Sequence, residues 1–180
     1  NATGVTASKL NAAGSVALSD SSVTAANLST LNTKTTTAIN ASTVTAISGS
    51  ASELDTVYTA ADNGDFSDLG NEALTVNDAD AASIAATTLS AIGGATTGTV
   101  TVTNAVAITG SRAQATAALV TTGTLVEVSD ATVTINDADG GALKATDLGA
   151  IGAKPTGTVT VTNAVAITGS RAEATAALVT

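Results

Sequence analysis

The stretch TGTVTVTNAVAITGSRA occurs at Thr97–Ala113 and again, letter for letter, at Thr156–Ala172. The two occurrences are related by a 59-residue shift, and the identity continues to the end of the chain with one difference, Gln114 against Glu173. A fixed period of this size is typical of proteins built from stacked repeats. The sequence therefore predicts a repeat solenoid with about 59 residues per repeat, rich in β-strands and short helices.

The period also predicts how the chain is divided. Residues 1–15 are expected to be the tail of a preceding repeat, and 16–72 a first, diverged repeat. Residues 73–131 form the second repeat and 132–180 a third, truncated one. We interpret the chain as a segment of a longer protein, because its last residues enter what looks like another repeat.

Each repeat carries two signals for the start or face of a helix. The stronger is a capping box, in which a Ser and a Glu or Gln three residues later bond each other's backbone N–H groups. The second is an apolar pair three residues apart, which places both side chains on one helix face. Gly93, Gly123 and Gly152 are expected to end these helices. The boxes are Ser50/Glu53, Ser111/Gln114 and Ser170/Glu173, and the pairs are Leu28/Leu31, Leu89/Ile92 and Leu148/Ile151.

Alternating segments rich in Val and Thr predict strands between the helices. Strands separated by a dozen or more residues and a helix must pair in parallel, so we expect a parallel α-β solenoid. Each repeat is long enough for either two or three coils, and the two helix signals favour two coils with one extra strand. The predicted strands are Leu74–Val76, Thr99–Thr103, Leu125–Val128, Thr132–Ile135 and Thr158–Thr162.

The composition favours layers of similar small side chains over an irregular core. Apolar residues make up 44% of the chain, yet it has one Tyr, one Phe and no Trp, Met, Cys or His. The formal charge of −9 disfavours nucleic acid and anionic lipid as partners. No stretch approaches the roughly 20 apolar residues of a membrane-spanning helix, and no signal peptide is evident.

Acidic turns are the best candidates for a ligand. Calcium needs six to eight oxygen ligands, commonly from closely spaced Asp and Asn, but no EF-hand loop or Gly-rich nonapeptide is present. The sequence favours solvated loops and strand-ending turns, so we predict no cofactor and no metal site and keep calcium as the alternative. The candidate residues are Asp62, Asp65, Asp68, Asp78, Asp80, Asp137 and Asp139.

Catalysis is not expected. His and Cys, the usual base and the best nucleophile, are absent, and we predict no catalytic residues. The run Thr99–Thr103 raises the possibility of an ice-binding face, although such a run occurs once per repeat. Arg112 and Arg171 begin the boxed helices, where they can pair with an acid of a neighbouring layer, contact another chain or stay exposed.

Three phrases resemble the repeats of very large surface proteins of marine cyanobacteria, at Val23–Leu31, Thr36–Leu54 and Asp68–Val76. The resemblance covers most of the chain and implies an extracellular, elongated protein without catalytic residues. We therefore expect a structural protein of the cell surface, acting as a spacer, filament or surface-layer component. It would associate with itself or with neighbouring repeats. The alternatives are an adhesin or calcium-stabilised binding module and, less favoured, an ice-binding solenoid.

Overall fold

The computed structural model describes residues 16–121, 123 and 125–179. This part of the chain is an α/β arrangement of fourteen short strands and six helices. The expected tail of a preceding repeat, residues 1–15, lies outside the described residues.

Short strands alternate with helices along the whole described chain. The strands are β1 (Val16–Ala17), β2 (Ser22–Thr24), β3 (Ile39–Asn40), β4 (Ala46–Gly49), β5 (Phe66–Ser67), β6 (Ala73–Val76), β7 (Ser83–Ala85), β8 (Val100–Val102), β9 (Ala107–Gly110), β10 (Val126–Val128), β11 (Thr132–Ile135), β12 (Ala142–Lys144), β13 (Val159–Val161) and β14 (Ala166–Thr168). The helices are α1 (Ala25–Asn32), α2 (Ala51–Asp62), α3 (Ala86–Gly94), α4 (Arg112–Leu119), α5 (Ala145–Gly152) and α6 (Arg171–Leu178).

Each helix closes a group of two or three strands, which we call a layer. Consecutive layers lie against each other, and the helices of neighbouring layers are in contact. Layer one is β1-β2-α1, layer two β3-β4-α2, layer three β5-β6-β7-α3, layer four β8-β9-α4, layer five β10-β11-β12-α5 and layer six β13-β14-α6.

The strands of successive layers pair in parallel, as the sequence predicts. They form four sheets rather than one, in the orders β1-β3-β5, β10-β8-β6-β4-β2, β13-β11-β9-β7 and β12-β14. Val16 pairs with Ile39 and Ile39 with Phe66, so the chain returns to the same sheet once in every layer. The backbone ladder between layers therefore repeats at roughly half the 59-residue period.

The 59-residue period is longer than two steps from layer to layer along one sheet. Two steps along one sheet lead from Leu74 through Val100 to Val126, and they are shorter than the period. The residue one full period after Leu74 is Val133, which lies in the next sheet. Strands at equivalent sequence positions thus occupy neighbouring sheets. The additional strand that makes this possible is β10, as predicted at Leu125–Val128.

The core consists of small aliphatic side chains stacked layer upon layer. Ile47, Leu74, Val100 and Val126 follow one another along one sheet, and each is buried. Burying a side chain of this size stabilises a fold by about 1.5–3 kcal/mol. Because this contact is repeated in every layer, the fold can be stabilised by a core with few aromatic residues. Tyr58 and Phe66 are the two aromatic members of the core.

The helix starts are predicted better than the helix ends. All three capping boxes are present, at Ser50, Ser111 and Ser170. One expected stop is wrong, because α3 continues through Gly93 to Gly94. Helix α4, predicted to end at Val120 shortly before Gly123, ends at Leu119 with Val120 as its C-cap. Gly152 is the last residue of α5, as expected of a stop.

Close contact between layers requires residues without side chains at particular places. A Cβ on Gly49 would lie 2.8 Å from Cβ of Ala25, and one on Gly110 would lie 2.9 Å from Cβ of Ala86. Both alanines are fully buried first residues of helices. The Gly before each of these two capping boxes therefore makes room for the first turn of the helix in the preceding layer.

Replacing Gly98 with Ala is expected to lower the free energy of unfolding by about 2 kcal/mol, because its Cβ would lie 2.2 Å from the carbonyl oxygen of Glu72. Gly94 is the matched control, because a Cβ there meets nothing within 4 Å. Gly94→Ala should leave stability unchanged or raise it by up to about 1 kcal/mol. Urea unfolding measures both, and an equal loss in the two variants would contradict the close approach.

Candidate functional site

The sequence Asn-Asp-Ala-Asp occurs twice, at Asn77–Asp80 in layer three and at Asn136–Asp139 in layer five, and we call these segments the NDAD turns. Each turn is hydrogen-bonded to the layer before it. Oδ2 of Asp78 accepts a hydrogen bond from the backbone N–H of Ala51 at 2.7 Å, and Oδ2 of Asp137 accepts one from Arg112 at 2.5 Å. Ala51 and Arg112 are the first residues of α2 and α4, whose N–H groups have no partner within the helix. Each carboxylate thus caps the helix of the layer that precedes it in the chain.

The same turns also bind the layer that follows. Oδ1 of Asp80 accepts from the N–H of Ala105 at 3.1 Å, and the side-chain amide of Asn104 donates to the carbonyl oxygen of Asp78 at 2.6 Å. The later turn has the same bonds, from Ala164 N–H to Asp139 at 2.9 Å and from Asn163 to the carbonyl of Asp137 at 2.6 Å. Each NDAD turn therefore connects three consecutive layers.

The capping boxes satisfy further N–H groups at these helix starts. The N–H of Ser111 donates to Oε1 of Gln114 at 2.8 Å, and the N–H of Gln114 donates back to Oγ of Ser111 at 3.3 Å. Glu173 occupies the place of Gln114 in α6, and the backbone bond from Ser170 lowers the pKa of its carboxyl. The single Gln-to-Glu difference leaves the box intact, as expected.

The acidic loop after α2 is likewise engaged with neighbouring layers. Oδ2 of Asp65 accepts from the side-chain amide of Asn32 at 2.9 Å, and Oδ2 of Asp68 accepts from that of Asn40 at 3.2 Å. Asp62 is exposed at the end of α2. The three carboxylates thus follow one another in sequence, but two of them are directed to different asparagines.

The candidate calcium ligands are not brought together. Among residues 16–121, 123 and 125–179 no group of three acidic side chains has the spacing to hold a metal ion. The carboxylates of both NDAD turns accept backbone N–H bonds instead. The partners of these turn carboxylates are thus peptide groups of adjacent layers.

Arg112 reaches the next layer, one of the three alternatives that the sequence left open. Its Nη1 lies 2.5 Å from Oδ2 of Asp147, the third residue of α5. Both side chains are partly exposed, at 30% and 27%. The pair adds a charged contact between layers four and five that lies beside the bond from Arg112 N–H to Asp137.

Sequence reasoning missed a buried polar cluster between layers two, three and four. Glu72 is completely buried, and its Oε2 accepts bonds from the Tyr58 hydroxyl at 2.7 Å and from Gly70 N–H at 2.8 Å. The hydroxyl of Thr96 donates to the carbonyl of Glu72 at 2.7 Å. Oε1 of Glu72 has no hydrogen-bond partner among the described residues. Two features of the sequence could have indicated this cluster: Glu72 directly precedes the apolar strand β6, and the chain has one Tyr.

Burial raises the pKa of Tyr58 far above its ordinary value, and the bond to Glu72 raises it further. The neutral phenol is therefore strongly favoured in the folded chain. In the next repeat the corresponding positions are Leu119, Ala131 and Pro155, all of them buried. The same place between layers is thus filled once by a hydrogen-bonded polar cluster and once by apolar side chains.

Threonines pair with threonines in two of the parallel sheets. Thr75 pairs with Thr101 in one sheet, and Thr109, Thr134 and Thr160 follow one another in the neighbouring sheet. Cross-strand Thr pairs stabilise sheets by up to about 1 kcal/mol. These pairs therefore have a structural role within each sheet, and ice binding remains a prediction without further support.

No substrate site is evident among the described residues. Glu72, the most deeply buried acid, is inaccessible to solvent, and the acids of the NDAD turns bond to backbone groups. No described helix has the length and apolar character needed to cross a membrane. Comparison of the chain with protein-family models, with curated proteins and with solved structures finds no match.

Replacing Asp137 with Ala is expected to lower the free energy of unfolding by about 1 kcal/mol, the usual value of a helix N-cap. The backbone N–H of Arg112 loses its acceptor in this variant. Asp62→Ala is the control, because it removes the same charge from an exposed helix C-terminus, where an acid is unfavourable. It should be neutral or slightly stabilising in urea unfolding. Equal effects would mean that Asp137 acts only through net charge.

For the buried cluster we expect the effect of Glu72→Ala on stability to change sign when Tyr58 is also replaced. Tyr58→Leu should cost about 3 kcal/mol, because Glu72 stays buried without its hydroxyl donor. Glu72→Ala should destabilise the parent, but it should stabilise the Tyr58→Leu variant, which then carries the Leu and Ala found at Leu119 and Ala131. Additive losses in urea unfolding would contradict this cluster.

Alkaline pH provides an independent readout of the same cluster. The pKa of Tyr58 is higher in the folded chain than the value of about 10 in an unfolded one. The resulting stability is therefore present below pH 10 and is lost as pH rises above it. The parent should lose stability above pH 10 relative to the Tyr58→Leu/Glu72→Ala variant, and parallel profiles would contradict the raised pKa.

Proposed function

We propose that the chain is a segment of an extracellular structural repeat protein that acts as a spacer, filament or surface-layer component. The observation that supports this proposal is the set of hydrogen bonds that the repeated acidic residues make. Asp78, Asp80, Asp137 and Asp139 bond to the backbone of adjacent layers. Residues retained for a ligand would instead direct their polar atoms to a common space.

A stacking role accounts for the pattern of residues that recur at the 59-residue shift. The capping-box Ser, the preceding Gly and the NDAD acids all act at or beside contacts between layers. In a repeat solenoid, stability is the sum of the repeats' own stabilities and such nearest-neighbour contacts, so a repeat can be added without redesign of the rest. This property suits a protein whose function is to span a distance.

The cell-surface location rests on the resemblance to the large surface proteins of marine cyanobacteria. The absence of Cys is compatible with an extracellular protein. An adhesin or a calcium-stabilised module is the alternative, and it would need a ligand face in addition to the contacts between layers.

The proposal is tested by inserting a second 73–131 segment after residue 131 and measuring small-angle scattering. Stacking predicts that the maximum dimension grows by about 10 Å, two strand spacings, while the cross-section stays the same. The enlarged chain should unfold in one transition at or above the parent's melting temperature. A separately unfolding unit, or growth of the cross-section, would overturn the stacked arrangement.

A calcium titration of the same two proteins separates the structural proposal from its alternative. We expect the melting temperature to be the same in calcium and in chelator, because the turn carboxylates already have backbone partners. A shift that increases with the added repeat would instead support the calcium-stabilised module.

A further inference from the structure

One sheet ends inside the chain, at a strand whose outer side has no partner among the described residues. Strand β10 pairs with β8 on one side only, and it is the last strand of its five-stranded sheet. Layer six follows layer five, but its strands β13 and β14 extend the sheets that begin at β7 and β12. The sheet β1-β3-β5 ends in the same way at β5, although three further layers follow. The unpaired side of β10 therefore results from the change of sheets within the chain.

This unpaired side presents backbone hydrogen-bonding groups. The carbonyl oxygen of Leu125 accepts from the N–H of Val100 at 3.1 Å, so residues 125 and 127 face β8. The alternation of an extended strand directs the N–H and C=O groups of Val126 and Val128 to the other side. Within the described part of the chain no hydrogen bond reaches these four groups. A row of free backbone groups of this kind is a template for a further strand.

A groove of about 360 Å³ lies beside this edge. Its apolar lining comes from the end of α4 and the start of β10, and it consists of Leu119, Val120, Leu125 and Val126. Helix α4 has eight residues and α2 has twelve, although both begin at a capping box. The groove thus lies where α4 stops, at the point of the repeat where α2 continues for one more turn.

Leu125 gives the groove an exposed apolar rim. Its side chain is 43% exposed, and the other exposed large apolar side chains of the described chain all lie at residues 167–179. Its φ of 47° is in the left-handed region, which is unfavourable for a residue with a Cβ. Strained residues of this kind persist where the surrounding structure holds them, and they cluster at binding sites.

The side chains along the edge indicate which segment fits. Val126 belongs to the column of buried aliphatic residues, and Glu127 lies exposed beside Thr101 on the outer face. Glu127 and Lys154, which also lines the groove, make no ion pair with another described residue. A strand added to β10 would place one side chain next to Val126 and the following one next to Glu127. The first position fits a β-branched apolar residue and the second a basic one.

We propose that the free side of β10 and its groove form a site for strand addition. The occupant is an extended segment of a partner protein that has a basic residue between two β-branched ones. It would continue the ladder β2-β4-β6-β8-β10, so the contact extends an interface already present in the chain. Bonds to the backbone of Val126 and Val128 supply affinity, and pairing with Glu127 supplies specificity. The site goes beyond the proposed structural function, because it gives a stacked array a point of attachment on its side.

Fluorescence anisotropy with two labelled peptides tests the site on the whole chain. One peptide contains Thr-Val-Lys-Val-Thr and the other Thr-Val-Glu-Val-Thr. The lysine peptide should bind the parent about fivefold more tightly, because an opposite-charge cross-strand pair replaces a like-charge pair. Glu127→Lys should reverse the preference. Asp62→Lys makes the same change of charge at the exposed end of α2, and it should leave the preference unchanged.

Amide hydrogen exchange distinguishes strand addition from attraction by charge alone. The lysine peptide should slow exchange at the N–H groups of Val126 and Val128. Exchange at Glu127 should not change, because its N–H already faces β8. Val128→Pro should abolish peptide binding, since it removes a donor on the free side of β10 and leaves the bonds to β8 in place.

Four results would overturn the proposal. The first is a lysine peptide that does not bind the parent at millimolar concentration. The second is a preference between the peptides that stays the same in the Glu127→Lys variant, and the third is binding without slower exchange at Val126 and Val128. The fourth is self-association of the parent that Val128→Pro removes, which would show that a second copy occupies the edge. The repeat-insertion experiment measures stacking alone, so failure of this site is distinct from failure of the structural function.

Discussion

The spacing of parallel strands is the constraint on which the rest of the structure depends. Hydrogen-bonded strands lie about 4.8 Å apart, so each layer must return the chain to within that distance of the layer before. The close approaches at Gly49, Gly98 and Gly110 follow directly, because a Cβ at any of them would come within 3 Å of the neighbouring layer. Most of the core consists of aliphatic side chains that repeat from layer to layer at this spacing.

Helices cannot follow that spacing, because packed helix axes lie about 8–10 Å apart. The chain places α1 and α2 after one sheet, α3 and α4 after the next, and α5 and α6 after a third. The part of the period beyond two steps along one sheet runs from Val126 to Val133. It contains the additional strand β10, and the helices after it follow a different sheet. Successive pairs of helices therefore follow three different sheets.

Local features of the fold could be predicted from the sequence, whereas contacts between layers could not. The capping boxes at Ser50, Ser111 and Ser170 act within one helical turn, so their spacing is visible in the sequence. The predicted strands correspond to β6, β8, β10, β11 and β13, and they leave out the other nine strands of the described chain. Most of those nine have only two or three residues, such as β7 and β12, and are too short to alternate. The acids of the NDAD turns were recognised, but their partners lie in other layers, and no local pattern indicates which residues those are. Glu72 was missed for the same reason.

The buried Tyr58–Glu72 bond matters most for the register of the layers. Nearly identical layers can pair in shifted register with little loss of apolar contact, a known hazard of weakly specified strands. A buried carboxylate with one matching hydroxyl penalises such shifts, because in any other alignment it would lose its donor. Leu119 and Ala131 occupy the same place one repeat later. The polar cluster therefore distinguishes the first junction between repeats from the second, and we interpret it as a contribution to the register of the layers.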